Sequence, residues 1–337
     1  MTSRTLLAIA ASLFLAAAVS ASHIPSAPPR LLSETGLYIG RGTREIDPRN
    51  RPFSPQYPLW SDGAEKSRWI RLPEGATIDA SNVDRWDFPE GTRFWKEFRF
   101  NGRKVETRLL RKNGDGSWTF ASYAWNEDQS DAILAPAEGL ANVAEIAPGK
   151  FHSIPPVSDC RACHDPGEAF RTEILGFSAL QLSTDRDPGA PHAEPLGDDM
   201  VTLRTLTDEQ VLEPARPELV TAPPRIQASD ARTRSALGYL STNCGSCHNE
   251  ESTIANLGLT LKDATVRQLL KPTSKWDIPK AAEGESRYVT PGVPELSAIL
   301  VRMKSRRPSS QMPPLGTVLH DKEAIALVNE WIESLEN

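Results

Sequence analysis

The chain has few cysteines, no long basic run and a single long apolar run, and each shortage argues against a class of protein. All four cysteines of the 337 residues lie in two short motifs, which argues against a framework of disulfides between distant elements. The formal net charge is −6 and no cluster of Lys and Arg could follow a phosphate backbone, so we expect no nucleic-acid partner. Beyond the first 21 residues no stretch approaches 18 apolar residues, so we expect no stable membrane insertion there.

The N-terminus has the three parts of an export signal. Arg4 precedes an apolar run over residues 6–18, and Val19-Ser20-Ala21 supplies small residues for cleavage. The run is too short to cross a bilayer comfortably, which favours a cleaved signal over a retained membrane anchor. We therefore expect residues 1–21 to be a signal peptide and the mature protein to be soluble in the periplasm.

The first half of the remaining chain predicts a β-rich domain. Residues 22–57 are rich in Pro, Ser and Arg, which predicts an extended lead-in. Residues 58–146 hold six of the eight tryptophans, and "RFWKEFRF" at residues 93–100 has the period-2 pattern of a strand. The pair Asn101-Gly102 that comes next is a strong signal for a two-residue hairpin turn. We predict an antiparallel meander here, in a sandwich or a small barrel.

The next part, residues 147–227, predicts an irregular segment, because prolines recur throughout it. We predict only short helices in it, around residues 167–180 and 207–212, and an extended linker over residues 213–227. Together with the helices predicted beyond residue 228, these patterns indicate an α+β fold.

Residues 228–337 predict a mainly α-helical domain. Apolar residues recur with a helical period after a serine and an aspartate at residues 229–230, either of which can cap the first helix. An amphipathic helix with Asp321 as its N-cap closes the chain. Gly238 and Tyr239 in the first helix are expected to pack against Trp331 in the last, so that the two helices cross closely.

Two copies of one motif, CxxCH, carry the chemistry. Covalent haem c needs two thiols at positions i and i+3 to add to its two vinyl groups, and a histidine directly after the second thiol to reach the iron. A shared zinc site would have to join motifs 84 residues apart and would give no role to the histidines, and a thioredoxin-like redox pair would need a strand-to-helix context; both remain as alternatives. We expect two haem c groups: haem 1 held by Cys160, Cys163 and His164, and haem 2 held by Cys244, Cys247 and His248.

The second motif has the companions of a class I-like cytochrome c domain. A helix precedes it, an amphipathic helix closes the chain, and "SSQMPPLGT" lies between them. Met312 in that segment is the expected second ligand of the iron, opposite His248, and Pro313-Pro314 would stiffen the loop. Met303 has the spacing of a helical core residue and is the weaker candidate.

The first motif has no such companions. Its possible second ligands are His152, His192 and Met200, each in a proline-rich or irregular context, and each more often a surface or packing residue than a ligand. An open position at haem 1 is the remaining alternative. Two acidic turns, with Asp62 and Glu65 in the first, have the ligand types of a calcium site but are more often only solvated; the second turn contains Glu127, Asp128 and Asp131.

Several segments resemble a family of exported bacterial diheme c-type cytochromes whose function is largely unassigned. They include "PLWSDGAEKSRWIRLPEG", "WDFPEGTRFWKEF", "YAWNEDQSDA", "DCRACH", "NCGSCH" and "MPPLGT", and the resemblance runs from about residue 58 to the C-terminus. The resemblance implies haem attachment at both CxxCH motifs and assigns Met312 to the family's MPPLG segment. It names no reaction, although similar segments can accompany propellers like those of quinoprotein sugar dehydrogenases.

The sequence therefore predicts a periplasmic diheme cytochrome c that relays electrons, rather than an enzyme with its own substrate. Its expected partners are redox proteins such as a quinoprotein dehydrogenase, another cytochrome or a terminal oxidase. The alternative is an oxidoreductase like the diheme peroxidases, with haem 1 as an open catalytic site. A third hypothesis makes the β-rich domain a binding module and the haems secondary.

Overall fold

The structure is a computed structural model and describes residues 27–40, 42, 44–164, 174–262, 265–271 and 287–336. The expected signal peptide, residues 1–21, lies outside these ranges. The chain has the α+β fold that the sequence predicts, with one large antiparallel sheet and several helices. Within the described ranges no helix is both long and apolar enough to cross a membrane.

The described strands are short at the edges and long at the centre. They are β1 (Arg51–Pro52), β2 (Glu65–Arg71), β3 (Ile78–Asp79), β4 (Arg93–Phe100), β5 (Arg103–Lys112), β6 (Trp118–Trp125), β7 (Ala132–Leu134), β8 (Leu140–Ala147), β9 (Lys150–Ile154) and β10 (Leu212–Glu213). The described α-helices are α1 (Val157–His164), α2 (Leu203–Asp208), α3 (Glu218–Thr221), α4 (Ala231–Cys244), α5 (Val266–Leu269), α6 (Ala298–Met303) and α7 (Lys322–Glu333), with 3₁₀ turns at Leu32–Glu34, Ala255–Leu257 and Pro294–Leu296.

The large sheet has the strand order β1-β2-β4-β5-β6-β7, with every neighbouring pair antiparallel. Asn101 and Gly102 join β4 to β5 with positive φ angles of 50° and 73°, which confirms the predicted hairpin turn. Because β1 and β7 remain edge strands, the described part of this sheet is open and does not close into a barrel.

The two faces of the sheet pack against different parts of the chain, since successive side chains of a strand point to opposite faces. One face buries Trp95 and Tyr123 against the N-terminal segment around Leu37. The other face, which we call the motif face, buries Phe94 against apolar residues of the segment 174–213. That segment therefore completes the core of the sheet, and β10 also pairs in parallel with β3.

The structure corrects several predictions for residues 147–227. The first motif lies on a helix, α1, which begins directly after Pro155-Pro156. Of the helix predicted around residues 167–180, residues 167–173 lie outside the described ranges and residues 174–180 form turns. The helix predicted near residues 207–212 begins earlier, at Leu203, and the predicted extended linker contains the short helix α3.

The helical part begins and ends as the sequence predicts. The Asp230 carboxylate accepts the N–H of Thr233 at 2.9 Å to cap α4, and Asp321 accepts the N–H of Ala324 at 3.0 Å to cap α7. The expectation for Gly238 is wrong, because the position of its missing Cβ is filled by the ring of Tyr57. The glycine therefore lets the N-terminal part of the chain approach α4 closely.

Candidate haem sites

The second motif is shaped by the end of helix α4. The N–H groups of Cys247 and His248 both donate to the carbonyl of Cys244, at 3.1 and 2.8 Å, which turns the chain back at this point. A Cβ at Gly245 would lie 2.8 and 2.9 Å from the Cα and N atoms of Lys262. Only glycine therefore fits the first position between the two cysteines without a shift of the backbone.

A cavity of about 240 Å³ lies beside this turn. Protein interiors rarely contain voids larger than a water molecule, which occupies roughly 30 Å³ in the liquid, so the cavity is far larger than ordinary packing leaves. Apolar side chains dominate its lining, among them Leu259, Leu261, Tyr288 and Ile299. Both cysteines of the motif, His248 and Met312 all line this one space.

The donor set of the cavity fits a c-type haem. His248 is only 6% exposed, and its Nδ1 atom has no hydrogen-bond partner among the residues that the structure describes. Burial, with the nearby Arg302 guanidinium, lowers the pKa of His248, which favours the neutral imidazole that binds metals. Burial also raises the pKa of Cys244 to about 12, so its sulfur is a thiol of the kind that adds to a vinyl group.

Contacts at both ends hold the loop that carries Met312. The Met312 N–H donates to the carbonyl of Arg302 at 3.1 Å. At the far end, the buried carboxylate of Asp62 accepts the N–H groups of Val318 at 3.0 Å and Leu319 at 2.8 Å. Asp62 therefore anchors this loop, which is a different role from the calcium ligand considered on sequence grounds.

Met303 also lines the cavity, at the end of helix α6, and it is buried in the helical core at 6% exposure. Its core position agrees with the spacing in the sequence. The same cavity thus brings two thioethers, Met303 and Met312, towards one histidine.

The first motif lies against the motif face of the sheet. Helix α1 packs on β6, and the ring of His164 is centred 5.7 Å from that of Phe120. Residues 165–173, directly after the motif, lie outside the described ranges. Proline is favoured at the start of a helix, so Pro155-Pro156 is a local sequence signal for the start of α1.

The two motifs touch each other. Cys163 lies close enough to Cys247 for each thiol to change the pKa of the other, and Ala162 lines the cavity of the second motif. This contact, together with burial, raises the pKa of Cys163, whereas the contact lowers the pKa of Cys247. All four cysteines are free thiols.

The described residues give no support to the zinc and calcium alternatives. Within them, no group of three or more His, Cys, Asp or Glu side chains is arranged to hold a metal ion. In the second acidic turn, Asp128 instead accepts the backbone N–H of Ser130 at 2.9 Å, and Asp131 accepts the hydroxyl of Ser33 at 2.6 Å.

The three candidate ligands for haem 1 have different surroundings. His152 is buried with Nε2 2.9 Å from the Glu106 carboxylate, which in turn pairs with Arg108. His192 has Nε2 2.9 Å from Asp321, so it supports the start of helix α7. Met200 lies in a turn closed by its N–H and the carbonyl of residue 197. Of the three, His152 belongs to the network beside the first motif, because Arg108 interacts electrostatically with both of its cysteines.

Three cations of the motif face, Arg68, Lys96 and Arg108, are not predicted as site residues from the sequence. Lys96 has a signal in the sequence, since period 2 in "RFWKEFRF" places it on the same side as Phe94 and Phe98. The other two need the strand register, which depends on pairing between distant segments.

No protein family, curated protein or solved structure matches this chain.

Proposed function

We propose that this chain is an exported diheme c-type cytochrome that relays electrons between redox partners. One observation carries the proposal: Cys244, Cys247, His248 and Met312 surround a single apolar cavity. Two thiols three residues apart, an imidazole and a thioether are the complete donor set of a covalently held, six-coordinate haem c. On this proposal haem 2 occupies that cavity.

When bound, haem supplies reversible one-electron chemistry, and its potential is set by the ligands and the dielectric of the site. The residues of this chain would hold it covalently, exclude water with the apolar wall, and raise its potential through a thioether ligand. His248 and Met312 would both hold the iron and would leave no place for a substrate there, which favours electron transfer over catalysis at haem 2.

Cys160, Cys163 and His164 would hold haem 1. The thiol contact between Cys163 and Cys247 supports a relay, because groups attached to touching cysteines would lie side by side. The finer fold assignment, a class I-like cytochrome c domain over residues 228–337, rests on helices α4 and α7 packing together and on the loop that carries Met312. The periplasm as location, and a quinoprotein dehydrogenase, another cytochrome or a terminal oxidase as partner, belong to the same proposal.

The haem count tests the function. The full chain, exported from a host that assembles c-type cytochromes, should carry two haems that stay attached on denaturation, measured by intact mass and by the pyridine haemochrome assay. Cys160→Ala/Cys163→Ala and Cys244→Ala/Cys247→Ala should each leave one haem. Fewer than two haems in the unmodified chain, or bound zinc in their place, would refute the proposal.

A further inference from the structure

Three cations lie directly opposite one another on the motif face of the sheet. The strand register pairs Arg68 of β2 with Lys96 of β4, and Lys96 with Arg108 of β5. We call these three residues the cation row. Like charges that face each other across strands destabilise a sheet, so a row of three requires anions beside it.

The anions of this chain neutralise only part of the cation row. Arg68 pairs with Glu194 at 2.6 Å, and Arg108 pairs with Glu106 at 2.6 Å. Lys96, between them, makes no hydrogen bond or ion pair with any residue that the structure describes. Lys96 is therefore the member of the cation row without an ion pair among the described residues, and it shares the charge of Glu194 with Arg68.

Arg68 has a donor to spare. Its side chain is only 6% exposed, yet its Nη2 atom is buried without a hydrogen-bond acceptor. A buried donor left unsatisfied costs about 1–3 kcal/mol, and more when it belongs to a charged group, so this N–H is expected to have an acceptor such as an anion or a water. Burial, followed by the charges of Arg68 and the neighbouring cations, lowers the pKa of Lys96 well below its ordinary value, so an added anion would stabilise its charged form.

One end of the cation row, Arg108, lies beside the first motif. Arg108 interacts electrostatically with Cys160 and Cys163, and its guanidinium lies 4.6 Å from the centre of the Phe98 ring. The Lys96 ammonium lies 5.0 Å from the same ring, so both cations share one surface. A haem carries two propionate carboxylates, and Arg and Lys are the side chains that bind carboxylates most strongly.

We propose that the cation row, through Lys96 and Arg68 above all, binds the propionate carboxylates of haem 1. This inference rests on the proposed function, since it requires a haem at the first motif. It makes the β-rich part of the chain one wall of a haem site.

The test removes the positive charge of Lys96, the central residue of the cation row, and measures the reduction potential of each haem in the full chain carrying both haems. Lys96→Met keeps the length of the side chain but removes a positive charge that opposes oxidation of the nearby iron. At a fixed potential the ratio of reduced to oxidised haem 1 should fall about tenfold, which is about 59 mV for a one-electron couple. Lys96→Gln should give the same direction, and Lys96→Arg should restore the original potential.

A second readout is the propionate bending bands of the resonance Raman spectrum, which should shift in Lys96→Met and return in Lys96→Arg. Lys104→Gln is the matched control, because Lys104 is a cation of the same sheet that pairs with Glu97, 3.1 Å away on the opposite face. It should leave both the potential of haem 1 and its propionate bands unchanged.

Two results would overturn the proposal. One is that Lys96→Met and Lys96→Gln both retain two haems and both leave the potential and the propionate bands of haem 1 unchanged. The other is that Lys96→Met, made in the Cys160→Ala/Cys163→Ala background that holds haem 2 alone, shifts the potential of haem 2. That result would assign the cation row to the propionates of haem 2. A count of fewer than two haems in the unmodified chain is a separate outcome that refutes the proposed function itself. Failure of the cation-row proposal and failure of the proposed function can therefore be distinguished.

Discussion

Asp62 anchors the loop that presents Met312, and Asp62→Ala should loosen that loop. The carboxylate is 6% exposed and accepts two backbone N–H groups, at 3.0 Å from Val318 and 2.8 Å from Leu319. These hydrogen bonds join residues 256 and 257 positions apart in the sequence. Without the carboxylate, both donors lose their acceptor.

The size of the effect depends on the exposure of the two donors. The Val318 side chain is 40% exposed, so its N–H can recover a hydrogen bond to water. Leu319 is half-buried, and a fully buried unsatisfied N–H costs about 1–3 kcal/mol, so the cost here should lie near the lower end, about 1 kcal/mol. In the haem-bound protein this energy would help to hold Met312 at the iron, so its loss should raise the affinity of an added ligand such as imidazole about fivefold.

The assay is a titration of ferric protein with imidazole, monitored by loss of the Met-to-iron charge-transfer band. Glu65→Ala is the matched control, because Glu65 is an exposed carboxylate of the same segment. We expect its imidazole affinity to equal that of the unmodified protein. Equal affinities for Asp62→Ala and the unmodified protein, or an equal rise in both variants, would show that Asp62 does not hold the Met312 loop.

Three further substitutions test the two sites. Gly245→Ala should lower the midpoint of thermal unfolding, because the new methyl group meets the backbone of Lys262, at a cost of about 1–3 kcal/mol; an unchanged midpoint would contradict this close packing. Met312→Ala should remove the charge-transfer band and lower the potential of haem 2, whereas Met303→Ala should keep the band and cost about 2–5 kcal/mol in stability; the reverse pattern would make Met303 the ligand. Burial opposes the ionisation of Glu106, but its cationic partners outweigh burial and lower its pKa from 4.5 to about 2. About 3 kcal/mol of stability is therefore present above pH 4.5 and lost as the pH falls towards 2, and Glu106→Gln should flatten that fall in denaturant titrations; a fall as steep as in the unmodified chain would refute the assignment.

Features set by neighbouring residues could be predicted from the sequence. The alternation around Phe94 and the pair Asn101-Gly102 predict strands and a hairpin that the register confirms. Asp230 and Asp321 each accept an N–H three residues later, so the same local rule predicts both helix starts. These signals act over a few residues and need no knowledge of the rest of the fold.

Features set by distant pairing could not be predicted in the same way. The cation row exists only because strands β2, β4 and β5 align Arg68, Lys96 and Arg108, and a slip of one residue would send each side chain to the other face. Gly238 has the composition of a helix–helix contact, yet its neighbour is Tyr57, about 180 residues earlier in the chain. Local patterns specify which face a residue takes, and not what lies opposite it.

The β-rich part of the chain depends structurally on the segment 174–213, which weakens the hypothesis of a separate binding module. A fragment of residues 30–145 would keep Ile70 and Phe94 on the motif face but would lose Phe177 and Leu182, which cover them. Exposing such large apolar side chains costs about 1.5–3 kcal/mol each, so the fragment should not fold as it does in the whole chain. Asp62, just before β2, anchors the loop of Met312, and the sheet supplies the surface under the first motif, so the role of this part should be tested in the intact chain.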